Sequence, residues 1–128
     1  MMGFVGNIEK QTLENSNFRK VIYTGQHAQL VLMSLKPGEE IGMEVHTNVD
    51  QFFRFEQGSA KVIINGEEST VEKEWAVIVP AGAEHNVINT GTEDLRLYTI
   101  YSPANHPEGT VHVTKEEAEE YEKAQHQG

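Results

Sequence analysis

An all-β sandwich or barrel is the fold class this sequence predicts, and three observations predict it. Apolar runs of about four to eight residues recur roughly every ten residues through the middle of the chain, each bounded by turn residues. Asn65-Gly66 follows Val62-Ile63-Ile64, and both turn residues tolerate the positive φ that a two-residue type I′ hairpin demands. A convincing helical pattern begins only near Thr114, at the C-terminal end.

Taken in order, residues 1–19 show no strong period and are rich in Asn and Gln, which predicts an irregular arm or a packing strand. The barrel region is expected over 20–102, opening with Val21-Ile22-Tyr23 and then residues 28–35, which end at the turn signal Lys36-Pro37-Gly38. Further strands are predicted over 51–56, 60–64, 75–79, 85–88 and 95–101. Their breaks are Gln57-Gly58, Asn65-Gly66, Pro80-Ala81-Gly82 and Thr90-Gly91-Thr92. The tail, 103–128, carries the helix: Thr114 is placed to cap it, with Glu117 three residues on to complete a capping box. Ala118, Tyr121 and Ala124 give only a thin apolar stripe, so this helix is expected to be short and to lie on the surface. No repeat or linker interrupts the pattern, and one domain is expected over 1–128.

Composition bounds the function. A chain of 128 residues buries one core but not two. No apolar run approaches the ~18 residues that suggest a membrane span, and MMGFVGNIEKQ lacks the basic segment and apolar core of a secretory signal. A cytoplasmic protein without a membrane role is the expectation. The net charge of −10 argues against nucleic acid, whose phosphates call for clustered Lys and Arg. Glu116, Glu117, Glu119, Glu120 and Glu122 read as a solvated helix face. The absence of cysteine removes thiolate ligands, disulfides and a cysteine nucleophile together.

The chemistry concentrates in two stretches. Glu44 and His46 are two apart, a spacing that on a strand points both side chains to one face. Gln51 follows the turn Thr47-Asn48-Val49-Asp50 and starts the next strand, so it can return to the same patch. Phe53 and Phe55 share its face as an apolar wall deeper in, while Phe52 and Arg54 point the other way. His85 enters a later strand after Pro80-Ala81-Gly82, with Val87 on its own side. Phe53, Phe55 and Val87 are therefore the candidate walls of a substrate pocket. Singly, a strand His is more often a hydrogen-bonded structural residue than a ligand; the array is what carries weight.

That array, Gly38, Glu44-x-His46, Gln51, Gly58, then Pro80-x-Gly82-x-x-His85-x-x-x-Asn89, resembles the two-part pattern of the cupin superfamily. The resemblance implies a double-stranded β-helix (jelly-roll) barrel with four positions, Glu44, His46, Gln51 and His85, converging on one divalent metal. Gly38, Gly58, Pro80, Gly82 and Asn89 take structural roles. The chain departs from the commonest ligand set: Glu44 stands where a first His is usual, and Gln51 where a Glu is usual. Two imidazoles, one carboxylate and one amide hold the ligand charge at −1. Such a set suits Zn first, with Fe, Mn, Ni or Co as alternatives. The inventory is similar to the zinc site of phosphomannose isomerases with Gln and Glu exchanged, which implies zinc and a sugar-like substrate.

Three functions follow. The first is metal-dependent, isomerase-type chemistry on a small sugar-like or hydroxycarbonyl metabolite, with Glu44 the one nameable candidate base. The alternatives are a dioxygenase using Fe, Mn or Ni, and a barrel that binds a small ligand without turnover. Arg54 and Arg96 are candidate anion-binding residues, although a surface ion pair is the expectation for each. The segment from Asn105-His106-Pro107 to His112, entered through Tyr101-Ser102-Pro103, resembles the tails of small bacterial cupins. It is expected to be a surface turn, with closure of the pocket as the alternative. His27 and His126 read as incidental. The resemblance also implies a homodimer paired through sheet edges, with the strand over 18–24 as the one to cover an edge.

Overall fold

Period-two alternation, carried by strand after strand, leaves the chain with one apolar face per strand and no way to bury it except by closing two sheets on each other. The computed structural model describes residues 3–127 and the side chains up to Ala124, so the side chain of His126 lies outside the described residues. Its elements are α1 (Ile8–Glu14), β1 (Arg19–Thr24), β2 (Gln29–Leu35), β3 (Glu44–Val45), β4 (Asp50–Gln57), β5 (Ser59–Ile64), β6 (Glu67–Glu72), β7 (Ala76–Val79), β8 (Glu84–Asn89), β9 (Leu95–Ser102), β10 (Val111–His112) and α2 (Lys115–Gln127). A six-stranded sheet, β10-β1-β2-β9-β4-β7, faces a four-stranded one, β3-β8-β5-β6, with every pairing antiparallel. This is the jelly roll the sequence predicts.

The core lies between the sheets. Val31, Met33, Leu35, Phe53, Phe55, Leu95 and Leu97 come from the larger sheet, and Ala60, Val62, Val71 and Val87 from the smaller. Asn65 and Gly66 adopt φ of 49° and 83°, and Ile64 pairs with Glu67 across them, as a two-residue primed turn requires. Gly58 sits at φ 92° with Leu95 Cα and Asp94 O only 3.2 Å from where a Cβ would stand, so both conformation and space demand glycine there.

One element differs from the expectation, and one completes the predicted hairpin. Residues 8–14 are a helix, not an irregular arm: Asn7 caps it by accepting from the Lys10 amide at 3.1 Å, and α1 lies against β9, β4 and β2. The polar run after Asn65-Gly66 is a full strand, β6, in which only Val71 is buried. It is an edge strand exposed on most of its length, so its sequence carries no alternation.

The register sets the positions that matter. Gln29, Tyr101 and Gln51 stand side by side across β2, β9 and β4. On the facing sheet Glu44, His85 and Ile64 stand side by side across β3, β8 and β5. These two rows form one end of the barrel, here called the mouth. Leu35 beside Leu95, and Ala60 beside Asn89, form the other end, the floor. The C-terminal helix begins as predicted, with the Thr114 hydroxyl accepting from the Glu117 amide at 3.1 Å. The Glu117 carboxylate reaches back to the Val113 amide, one residue before the cap. Ala118 is buried against the core, while Tyr121 and Ala124 are exposed. Among the described residues no helix is long and apolar enough to cross a membrane.

Candidate metal centre

Strand pairing brings two of the four predicted ligands together, Gln51 faces them from the other sheet, and His46 arrives by the turn after β3. Glu44 lies directly opposite His85, so the two side chains share a face. His46 follows the end of β3, and its carbonyl accepts from the Gly82 amide at 2.8 Å. Asp50 takes the Ala81 amide at 2.8 Å. The Pro80-Ala81-Gly82 turn therefore binds the two motif halves to each other.

The donor atoms are oriented from behind. His85 Nδ1 meets the Ala83 carbonyl at 3.1 Å, and its Nε2 meets Gln51 Oε1 at 3.2 Å. The Gln51 amide nitrogen donates to Thr99 Oγ1 at 3.0 Å, which directs Oε1 toward His85. His46 Nε2 is buried without a hydrogen-bond partner, with Glu44 Oε2 3.6 Å away. The two imidazole centroids are 5.3 Å apart.

Burial governs the proton affinities. It pushes the Glu44 carboxyl up to about 7, against the nearby Arg19 charge and with Glu122 adding to the rise. Burial lowers His46, as do the neighbouring His85 and Arg19. A divalent cation would reverse the Glu44 effect by favouring the carboxylate.

These residues fit a divalent metal in donor chemistry: His46 Nε2 has no partner, His85 Nε2 and Gln51 Oε1 face each other at 3.2 Å, and one carboxylate stands beside them. They do not form a closed cage. Among the described residues, no group of three or more His, Asp or Glu side chains is gathered as a cation site. The amide of Gln51 makes up part of the donor set here.

Of the predicted pocket walls, Phe53 reaches the site, with its ring 6.4 Å from that of His85. Phe55 stacks beyond Phe53 at 6.3 Å, and Val87 pairs with Val62 deeper in the core. Arg54 and Arg96 face away and pair with Glu56 (2.7 Å) and Asp94 (3.7 Å), as expected of surface ion pairs. His27 is exposed.

Sequence reasoning missed Tyr101, Thr99 and Arg19. Tyr101 is 1% exposed and stands edge-on to His46 at 5.8 Å and to His106 at 5.1 Å; burial raises its hydroxyl above the ordinary range. His106 Nε2 lies 3.2 Å from that hydroxyl. Burial first, then Arg19, His46 and His112, push His106 down to about 3. The expected surface turn is in fact docked: buried Gln29 accepts at Oε1 from the amides of Asn105 and His106, each at 3.0 Å, and donates to the His106 carbonyl at 2.7 Å. The alternation of β9 could have exposed Thr99 and Tyr101, because Leu95 and Leu97 on the same face mark the inner side.

The cupin-domain family (Cupin_2) matches residues 31–101, more than half of the chain. The Bacillus subtilis protein YrkC is 50% identical over 121 residues, which cover 90% of this chain and 65% of YrkC, so the chain spans just under two thirds of that relative. A crystal structure from Bacillus halodurans superposes with a TM-score of 0.91 at 44% identity, covering 93% of this chain and 95% of the other. Mannose-1-phosphate guanylyltransferase ManC of Salmonella typhimurium is 30% identical over 81 residues, 63% of this chain but 17% of that enzyme.

Proposed function

The chain belongs to the cupin family, and from that premise we propose that it binds one divalent metal, zinc foremost, and performs isomerase-type chemistry on a small sugar-like or hydroxycarbonyl compound. The observation that carries this reading is the set of acceptors at the mouth: His46 Nε2 without a partner, and His85 Nε2 facing Gln51 Oε1. Glu44, His46, Gln51 and His85 would hold the ion. Bound there, it would supply Lewis acidity, polarising a substrate carbonyl and easing loss of the adjacent proton.

The chain's own residues do the rest. Thr99 and Ala83 fix Gln51 and His85 so that their donor atoms need little reorganisation. Phe53 and Tyr101 wall the site with rings, which excludes water and strengthens every charge interaction inside. Glu44, the sole carboxylate of the set, is the candidate to take a proton. Similarity to part of an enzyme named for a sugar phosphate supports the sugar-like class. A homodimer belongs to the same reading, supported by Trp75 and Ile78, which are exposed at the edge strand β7.

Metal analysis of protein purified without chelator, followed by titration with Zn, Fe, Mn and Ni, is the test. About one equivalent of metal per chain is expected; no uptake of any of the four ions would sink the proposal. Oxygen consumption by the loaded protein with diketone or catechol substrates would move the reading to the dioxygenase class.

A further inference from the structure

Arg19 opens β1 on its inner face, beside Met33 of β2 and His112 of β10, and it is only 3% exposed. An arginine buried to that degree is costly unless a counter-charge touches it. None does: no ion pair among the described residues includes Arg19. Nη1 contacts His112 Nδ1 at 3.3 Å, the guanidinium carbon lies 5.3 Å from the Phe18 ring centroid, and Nε has no partner at all. Each of these contacts is neutral or aromatic. Arg54 and Arg96, on the outer face, each have a carboxylate.

The surroundings hold this cation in place without neutralising it. Burial and the Arg19 charge itself keep His112 below its ordinary value, so its ring stays a neutral acceptor. That ring packs against Tyr121 of α2 at 5.2 Å. Glu119 and Glu122 of α2 help line a small cavity beside Arg19, Phe18 and Ile41, yet neither carboxylate comes within ion-pair distance. In the other direction the charge is felt by Glu44, His46, Tyr101 and His106. The register seats Arg19 opposite Met33, between the mouth row at Gln29 and the floor at Leu35, and its charge reaches the proposed ligands Glu44 and His46.

Charge bears on the choice of ligand. Glu44 is the only acidic member of the donor set and Glu122 the other carboxylate whose charge reaches it, so a divalent cation together with Arg19 leaves the mouth positive by one. A neutral sugar does not offset that; a carboxylate or phosphate does.

We propose that Arg19 is the anion-binding residue of the mouth and that the small oxygenated ligand carries a carboxylate or phosphate seated on its guanidinium. The charge count rests on the metal-binding reading above; the burial and missing counter-ion of Arg19 do not.

The test is calorimetric titration of the full chain, with and without zinc, using glycolate, inorganic phosphate and neutral glycolamide. Wild-type protein is expected to bind at least one anion more tightly than glycolamide, and which anion binds separates carboxylate from phosphate. Arg19→Gln is expected to weaken that anion by about tenfold or more while leaving glycolamide affinity unchanged and zinc affinity no weaker. Arg19→Lys keeps the charge but loses the planar fork, and should fall between the two. It also serves if the Gln variant does not fold. Wild-type protein that prefers neither anion overturns the assignment, as does either variant weakened equally for all three ligands. Anion binding that depends on Arg19 in a protein that takes no zinc leaves the assignment standing and removes the metal reading.

Discussion

The two ends of the barrel bury polar side chains equally well and treat them differently. Strand β8 shows it on one inner face: Asn89 at the floor is 1% exposed and His85 at the mouth 3%. Asn89 donates to the carbonyls of Leu35 (3.0 Å) and Glu93 (2.9 Å) and accepts from the Gly91 amide at 2.9 Å, so its amide group is used up in tying loops to the sheet. Elsewhere on the inner faces capacity is left over: His46 Nε2 at the mouth and Arg19 Nε on β1 have no partner. A third nitrogen without a partner, Arg96 Nε, belongs to a guanidinium whose other nitrogens meet Leu13 O and Asp94. Burial and strand position alone do not distinguish a structural polar residue from one awaiting a ligand. Unused hydrogen-bonding capacity does.

The largest effect should come from exchanging the roles of the two ends. His85→Ala is expected to weaken zinc retention by about a hundredfold, since even contacts behind a ligand are worth ten- to a hundredfold. Asn89→Ala should leave it unchanged, as read by chelator competition. The reverse pattern would break the comparison. On stability the order inverts: Asn89→Ala should cost the metal-free protein about 2–3 kcal/mol in urea unfolding, because it strands buried backbone groups. His85→Ala should cost less. Next in size, Gln51→Glu should tighten cation retention by about tenfold through the added charge beside the ion. Unchanged affinity would remove Gln51 from the ligand set.

The smallest effect is on pH dependence. His46, His106 and His112 are all held below their ordinary value in the fold, so below pH 6.5 the unfolded chain takes up protons that the folded chain refuses. Their contribution is complete above 6.5 and is lost as pH falls, for His106 down to about 3. Glu44 runs oppositely: with its carboxyl raised from 4.5 to about 7, its share declines as pH rises through that window. Comparing His106→Asn with wild type at each pH isolates the histidine. The variant should show a shallower fall in Tm below pH 6.5, and parallel curves would count against a buried, neutral His106.

The motif was legible because each of its parts has a local signature. Turn residues bracket Glu44, His46, Gln51 and His85, and alternation assigns Phe53 and Phe55 to Gln51's face. The hairpin at Asn65-Gly66 was legible for the same reason. Helix α1 was not: it is seven residues long, buries only Thr12 fully, and its one clear signal is the cap at Asn7. Arg19 was illegible, and His106 legible only as part of a segment that closes the pocket in the lesser of two readings, for a different cause. Their roles depend on β10, α2 and Gln29, which lie far away in sequence, and a basic residue at a strand start otherwise reads as surface. Long-range partners, not local propensity, decide what such residues do.

Gln29 ties the opening of the 105–106 segment to one side chain. Its side chain holds Thr24 Oγ1, both backbone groups of His106 and the Asn105 amide through a single fully buried amide group. Those contacts share one anchor, so they release together when it swings away. Solvent exchange of the Asn105 and His106 amide protons is then expected to follow one common opening rate.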